Sequence, residues 1–150
     1  MRINFSIKLH CTSFPHIDKT RFTDQMKKDI ANREDLLKLV SLFYKKLLAD
    51  DSINYLFTDV AKIDLPHHLE ILVDFWENIL FQKDTYRKNA MQPHLVLHRQ
   101  SPLQKHHFET WLRYFNETVN ELFEGEKAFL AKERALGIAT VMQIKISQLS

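Results

Sequence analysis

The sequence predicts an all-α fold, and three observations carry that expectation. Its 150 residues contain only two glycines and four prolines, too little turn chemistry for a β-sandwich or barrel. From residue 32 onward the apolar residues recur at three- and four-residue steps, the period of an amphipathic helix. Each run opens or closes on a cap or a breaker: Asn32, Asp64-Leu65-Pro66, Ser101-Pro102 and Glu124-Gly125. Apolar residues make up 45% of the chain, and a chain of this length buries roughly 68–70% of its unfolded surface without disulfides or a structural metal.

The elements follow in order. Asn32 caps a first helix, with Glu34 and Asp35 in its opening turn complementing the dipole. Leu36, Leu39, Val40, Phe43 and Leu47 form its apolar stripe, with Tyr44 on the margin, and Asp50-Asp51-Ser52 ends it. A short segment from Ile53 to Ala61 brings in Tyr55, Leu56 and Phe57. Asp64 and Pro66 start a second helix whose inward face runs His68, Leu72, Phe75 and Ile79, leaving His67 in solvent. Lys83 to Asn89 is a polar connection.

Met91 to Arg99 forms a brief helix with His94 and His98 one turn apart on one face. The next helix carries Phe108, Trp111, Leu112, Phe115, Val119 and Leu122 inward, with His106 and His107 expected at the surface and partial packing of His107 left open. A last helix from about Glu126 to Gln148 carries Phe129, Leu130, Leu136, Val141 and Ile144 as its apolar residues. Gly137 inside it costs about 1 kcal/mol against alanine, which suggests close packing on a neighbouring helix. Residues 1–25 differ: Ile3, Phe5, Ile7 and Leu9 alternate with polar residues and find no partner strand, so a loosely ordered extension is expected, with Met26 as an alternative start. The domain proper is taken as 26–150.

Composition excludes several functions. A net charge of +2 with interspersed signs gives no basis for nucleic-acid binding. No run of 18 apolar residues exists to span a membrane. The single cysteine, Cys11, excludes an internal disulfide and suits the reducing cytoplasm.

Inward histidines, a tyrosine and a tryptophan on helical faces need partners, because burying unpaired polar groups is costly. Each has a structural reading: His68 as a hydrogen-bonded core histidine, Tyr44 as a core tyrosine with a satisfied hydroxyl, Trp76 as core packing. Taken together they suit a haem, which needs an apolar slot, one imidazole beneath the iron and a controlled space above it. His94 or His98 could supply the imidazole. Tyr44, His68 and Trp111 could donate to a gas that gains negative charge on binding, each such bond contributing about 1.5–3 kcal/mol.

The stretches LVSLFYKKL (39–47), INYLFTD (53–59), LPHHLEILVDFWENIL (65–80), NAMQPHLVLH (89–98) and PLQKHHFETWLRYFNETV (102–119) resemble the truncated haemoglobins, and within them group III. The resemblance covers about residues 33 to 147. It implies a truncated globin fold, a two-over-two helical sandwich around one haem b. It implies Tyr44 as the distal tyrosine, His68 as the distal histidine seven and eight residues ahead of Phe75-Trp76, Phe57 as the wedge against the porphyrin and Trp111 as the distal tryptophan. The Asn-x-Met-x-x-His pattern at Asn89, Met91 and His94 implies His94 as the proximal iron ligand. Counting back without gaps from Phe108-x-x-Trp111 lands instead on His98, which stays open as the alternative.

The resemblance implies binding of dioxygen and other diatomic gases (NO, CO), with NO or peroxide detoxification as accompanying roles; a monomeric, cytoplasmic protein is expected. A haem-dependent NO dioxygenase or peroxidase-like enzyme is the rival reading, and it needs an external reductase. A non-haem helical interaction domain is the third. Arg87 and Arg99 are candidates for the haem propionates or simply solvated charges.

Overall fold

The computed structural model describes residues 26–149. The expectations for residues 1–25 and Cys11 lie outside these. Five α-helices follow in order: α1 (Arg33–Leu48), α2 (Leu65–Phe81), α3 (Met91–Gln100), α4 (Lys105–Leu122) and α5 (Glu126–Ser147), with a π-helical turn at Leu56–Val60 between α1 and α2. There is no strand among the described residues. None of the described helices is long and apolar enough to cross a membrane.

α1 packs against both α2 and α4, and α5 against α4 and α2, a two-over-two arrangement. The α1 stripe is buried as its period predicts: Leu36, Leu39, Val40, Phe43 and Leu47 are all in the core, joined by Tyr44. Each such apolar side chain contributes roughly 1.5–3 kcal/mol by leaving water. Asn32 caps the helix by accepting from the Asp35 backbone N–H at 2.9 Å.

On α2 the fully buried residues are Val73, Trp76, Glu77 and Leu80, one position round from the expected stripe. His68, Leu72, Phe75 and Ile79 are only half-buried. They form a second face beside the buried one, on which His68 meets Tyr44 of α1, while His67 is exposed as expected. Trp76 stacks on Phe115 at 4.8 Å between centroids, the packing role expected of it. The buried Glu77 carboxylate is matched by Arg33 Nη1 at 3.1 Å and Lys83 Nζ at 2.9 Å, which removes the cost of an unpaired buried charge.

The last helix corrects the sequence reading. α5 buries Ala128, Ala131, Ala135, Ala139, Met142 and Ile146, while Phe129, Leu136, Val141 and Ile144 face outward. Small residues let α4 and α5 approach closely, so the alanine row wins the inner face although the larger side chains are more apolar. Gly137 is on the outer side, and a Cβ there would meet nothing within 4 Å. It does not serve helix packing inside the domain.

Gly125 is required by geometry. Its φ is +147°, and a Cβ would lie 2.5 Å from Asp29 Cγ. That carboxylate accepts from the backbone N–H of Lys127 and Ala128, both at 2.8 Å, and so satisfies the open end of α5. The segment ahead of α1 thus closes the far helix.

Candidate functional site

The residues singled out by spacing fall on two walls. On the first, Tyr44 of α1 lies against His68 of α2, with Tyr44 Oη 2.7 Å from His68 Nε2. Phe57, on the π-helical turn, meets the Tyr44 ring edge-on at 5.5 Å. These three form one cluster. Trp111 of α4 joins it indirectly: it meets Phe43 edge-on at 5.6 Å, and Phe43 in turn meets Tyr44 at 5.4 Å. Trp111 also lies parallel to Phe115, which anchors the row in the core.

Burial pushes the Tyr44 hydroxyl well above its ordinary value, so the phenol keeps its proton. Burial, then the His94 and His67 rings, hold the His68 imidazole below its ordinary value, so it stays neutral and carries one ring proton. With that proton on Nε2, His68 donates to the Tyr44 oxygen and the tyrosine proton is free. With it on Nδ1, Tyr44 donates to His68 and its proton is used.

The second wall is α3, and it has no buried residue at all. Met91, Leu95 and Leu97 are half-buried and Val96 is exposed, although the helix lies within a folded domain. Its main contacts run to α5 and the π-helical turn rather than to α2. It is fixed at its ends: Asn89 Oδ1 accepts from Met91 N–H at 3.0 Å, and Leu103 N–H donates to His98 Nδ1 at 3.0 Å.

Hydrogen bonding separates the two histidines on this helix. His94 Nδ1 is 2.7 Å from the Ala90 carbonyl oxygen. A carbonyl can only accept, so Nδ1 carries the proton and Nε2 presents a lone pair. No protein partner for that nitrogen exists among the described residues. Burial lowers the His94 basicity and the Ala90 bond partly restores it, keeping the ring neutral. His98 is reversed: Nδ1 accepts from Leu103, which places the neutral ring's proton on Nε2. Of these two histidines, His94 is the one whose Nε2 offers a lone pair.

The donor set and its surroundings fit a haem. One neutral imidazole has its second nitrogen oriented by a carbonyl and its first unpartnered. A protonated tyrosine and a neutral histidine lie together on another wall. The helix bearing His94 also carries apolar side chains short of cover. No group of three or more histidine, cysteine, aspartate or glutamate side chains that could hold a metal ion exists among the described residues.

Residues 27–146 match the model of the bacterial-like globin family. The chain belongs to that family. It is similar to the group 3 truncated hemoglobin ctb of Campylobacter jejuni, with 27% identity over 121 residues, 79% of this chain and 93% of that one. The crystal structure of a group III truncated hemoglobin from Campylobacter jejuni superposes with a TM-score of 0.71 at 27% identity, covering 81% of this chain and 95% of that one. The all-α truncated globin fold and the resemblance to group III are therefore shown, and membership of this globin family implies a haem cofactor.

Several structural residues escaped the sequence reading. His107, expected at the surface with at most partial packing, is buried. Its Nδ1 accepts from Gln104 N–H at 3.0 Å, and its Nε2 faces Tyr55 Oη at 3.1 Å, so it secures the start of α4 to the segment after α1. Tyr114 donates to Asp50 at 2.8 Å, another tie between α4 and the end of α1. No spacing signal could have found these bonds, because their partners are brought together by the turns. Arg87 pairs with Asp84 on the exposed connection and Arg99 is also exposed.

Proposed function

We propose that this globin binds one haem b through His94 and takes up dioxygen and other diatomic gases, NO and CO among them. The single observation that supports His94 over His98 is the opposite polarity of their Nδ1 hydrogen bonds. When bound, the haem iron supplies the bond to the gas; the chain supplies everything around it. His94 would hold the cofactor through Nε2, with the Ala90 carbonyl fixing its tautomer and ring plane.

Tyr44 and His68 supply proton donors on the opposite side, with Phe57 holding the Tyr44 ring in place. When His68 donates from Nε2, Tyr44 Oη accepts that bond and is free to donate its own proton into the pocket. Trp111 contributes the adjoining wall, positioned by Phe43 and Phe115. The Arg87 and Arg99 guanidiniums belong to the proposal only as candidate partners of the propionates. We place the protein in the cytoplasm because its single cysteine suits a reducing compartment.

Two donors in hydrogen-bond contact within a half-buried site favour slow gas release. That supports a second reading, a redox role as an NO dioxygenase or peroxidase-like enzyme served by an external reductase. Steady turnover of NO or peroxide with a reductase supports this reading, and a single stoichiometric oxidation counts against it.

Absorption spectra of the purified protein titrated with haemin, then reduced and exposed to CO, test the proposal. A saturable Soret band at one haem per chain, shifting with CO, is the expected result. A chain that gives no Soret band is a helical domain whose inward histidines are structural.

A further inference from the structure

The outer side of α5 carries an apolar surface that no described residue covers. Phe129 is 62% exposed, Leu136 51%, Val141 49% and Ile144 52%, and Leu149 just beyond the helix is 50% exposed. A run of large exposed apolar side chains on one helix marks an interaction surface more often than it marks ordinary solvent-facing structure. Gly137 lies within it with open space where a Cβ would stand. On the solvent face of a helix a glycine is costly unless something approaches the backbone closely.

The row Glu133, Gly137, Val141 and Lys145 follows the four-residue step along one ridge of the helix surface, and every member is exposed. Read from either end about Ala139, the row complements itself. An antiparallel copy related by a two-fold axis at that level sets Glu133 level with Lys145 and Gly137 level with Val141. In such an isologous pair each match occurs twice. Glu133 and Lys145 form no ion pair among the described residues, so both charges are available.

We propose that this face binds a second copy of the chain, α5 against α5 in antiparallel register about Ala139. Val141 of each copy fills the space over Gly137 of the other, Ile144 flanks that contact, and Glu133 pairs with Lys145. The monomer that the sequence suggests is then the dilute form. A helix pair of this length covers less than the roughly 800 Å² per partner of a standard interface, so the dimer is a weak one.

Sedimentation velocity of the full chain from about 1 μM to 1 mM tests this. The mass is expected to rise from 17.9 kDa toward twice that value. Ile144→Glu, a surface change that leaves the circular dichroism intact, should weaken association at least about tenfold. Glu133→Lys and Lys145→Glu should each weaken it about three- to tenfold, and the double swap should restore it. A chain that stays monomeric throughout overturns the proposal, as does association that Ile144→Glu leaves unchanged. Single charge reversals without recovery in the double variant overturn the register. A monomer that associates only after removal of residues 1–25 makes that segment the occupant, and likewise overturns it.

Discussion

The two walls of the site are built differently. The wall formed by α1, α2 and α4 is complete within the protein: Tyr44 is only 4% exposed, and Phe43, Trp111 and Phe115 continue from it as an aromatic row. α3 has no buried residue and is held by bonds at its two ends. A region with few buried contacts opens at low free energy, whereas core helices open only with the whole domain. The difference teaches which half of the site the chain prepares in advance. The wall that carries Tyr44 is part of the folding core, and on the proposed function the helix that carries His94 would draw its cover from the haem.

The comparison can be broken most severely at Phe115, which touches Phe43, Trp76 and Trp111 and is fully buried. Phe115→Ala should cost about 3–5 kcal/mol in a urea titration of the apo-protein. A loss below about 1 kcal/mol would mean the aromatic row is not the core of this wall. Next comes α3 itself. At a free haem concentration 100 times its dissociation constant, linkage contributes about 2.7 kcal/mol, so amides of residues 91–100 should gain about 100-fold protection from hydrogen exchange. If those amides are already as slow in the apo-protein as those of α1, the asymmetry is wrong.

Tyr44→Phe probes the prepared wall with less disturbance. It should speed dioxygen dissociation by about ten- to 150-fold, corresponding to loss of one bond to a charged acceptor worth about 1.5–3 kcal/mol. An unchanged rate would remove Tyr44 from the ligand's hydrogen bonds.

The smallest effect is that of pH. Burial is the leading cause that holds His68, His94 and His107 below the ordinary histidine value of 6.5. The fold therefore binds fewer protons than the unfolded chain. Apo-protein stability is fully present above about pH 6.5 and is lost as the pH falls through the folded values. Protonating His107 also takes away the lone pair that accepts from Gln104. His107→Gln should flatten the acid limb of the stability profile, and an undiminished slope would show that this histidine does not report on the fold.

How much of this was legible in the sequence depended on whether one face of a helix is unambiguously heavier than the other. α1 has one continuous stripe of Leu, Val and Phe, and its period gave its burial directly. On α5 an alanine row competes with a row of larger residues. Periodicity cannot say which faces inward when the partner helix demands close approach, so the inner face was misread. α2 shows the intermediate case, where the His68 face and the Trp76 face are one residue apart and serve different neighbours.

Tyr44, Phe57 and His68 were singled out by their order along the chain, and folding brings those three into one cluster. The choice between His94 and His98 was not legible from residue spacing. The residues are one turn apart, and what separates them is a carbonyl at Ala90 and an N–H at Leu103, backbone groups whose positions follow only from the helix ends.

That choice is the central claim, and ferrous absorption spectra of His94→Ala and His98→Ala with haemin test it most directly. The account predicts that His98→Ala keeps a five-coordinate ferrous spectrum and stoichiometric haem, while His94→Ala loses both. Survival of haem and that spectrum without His94, together with their loss without His98, would contradict it.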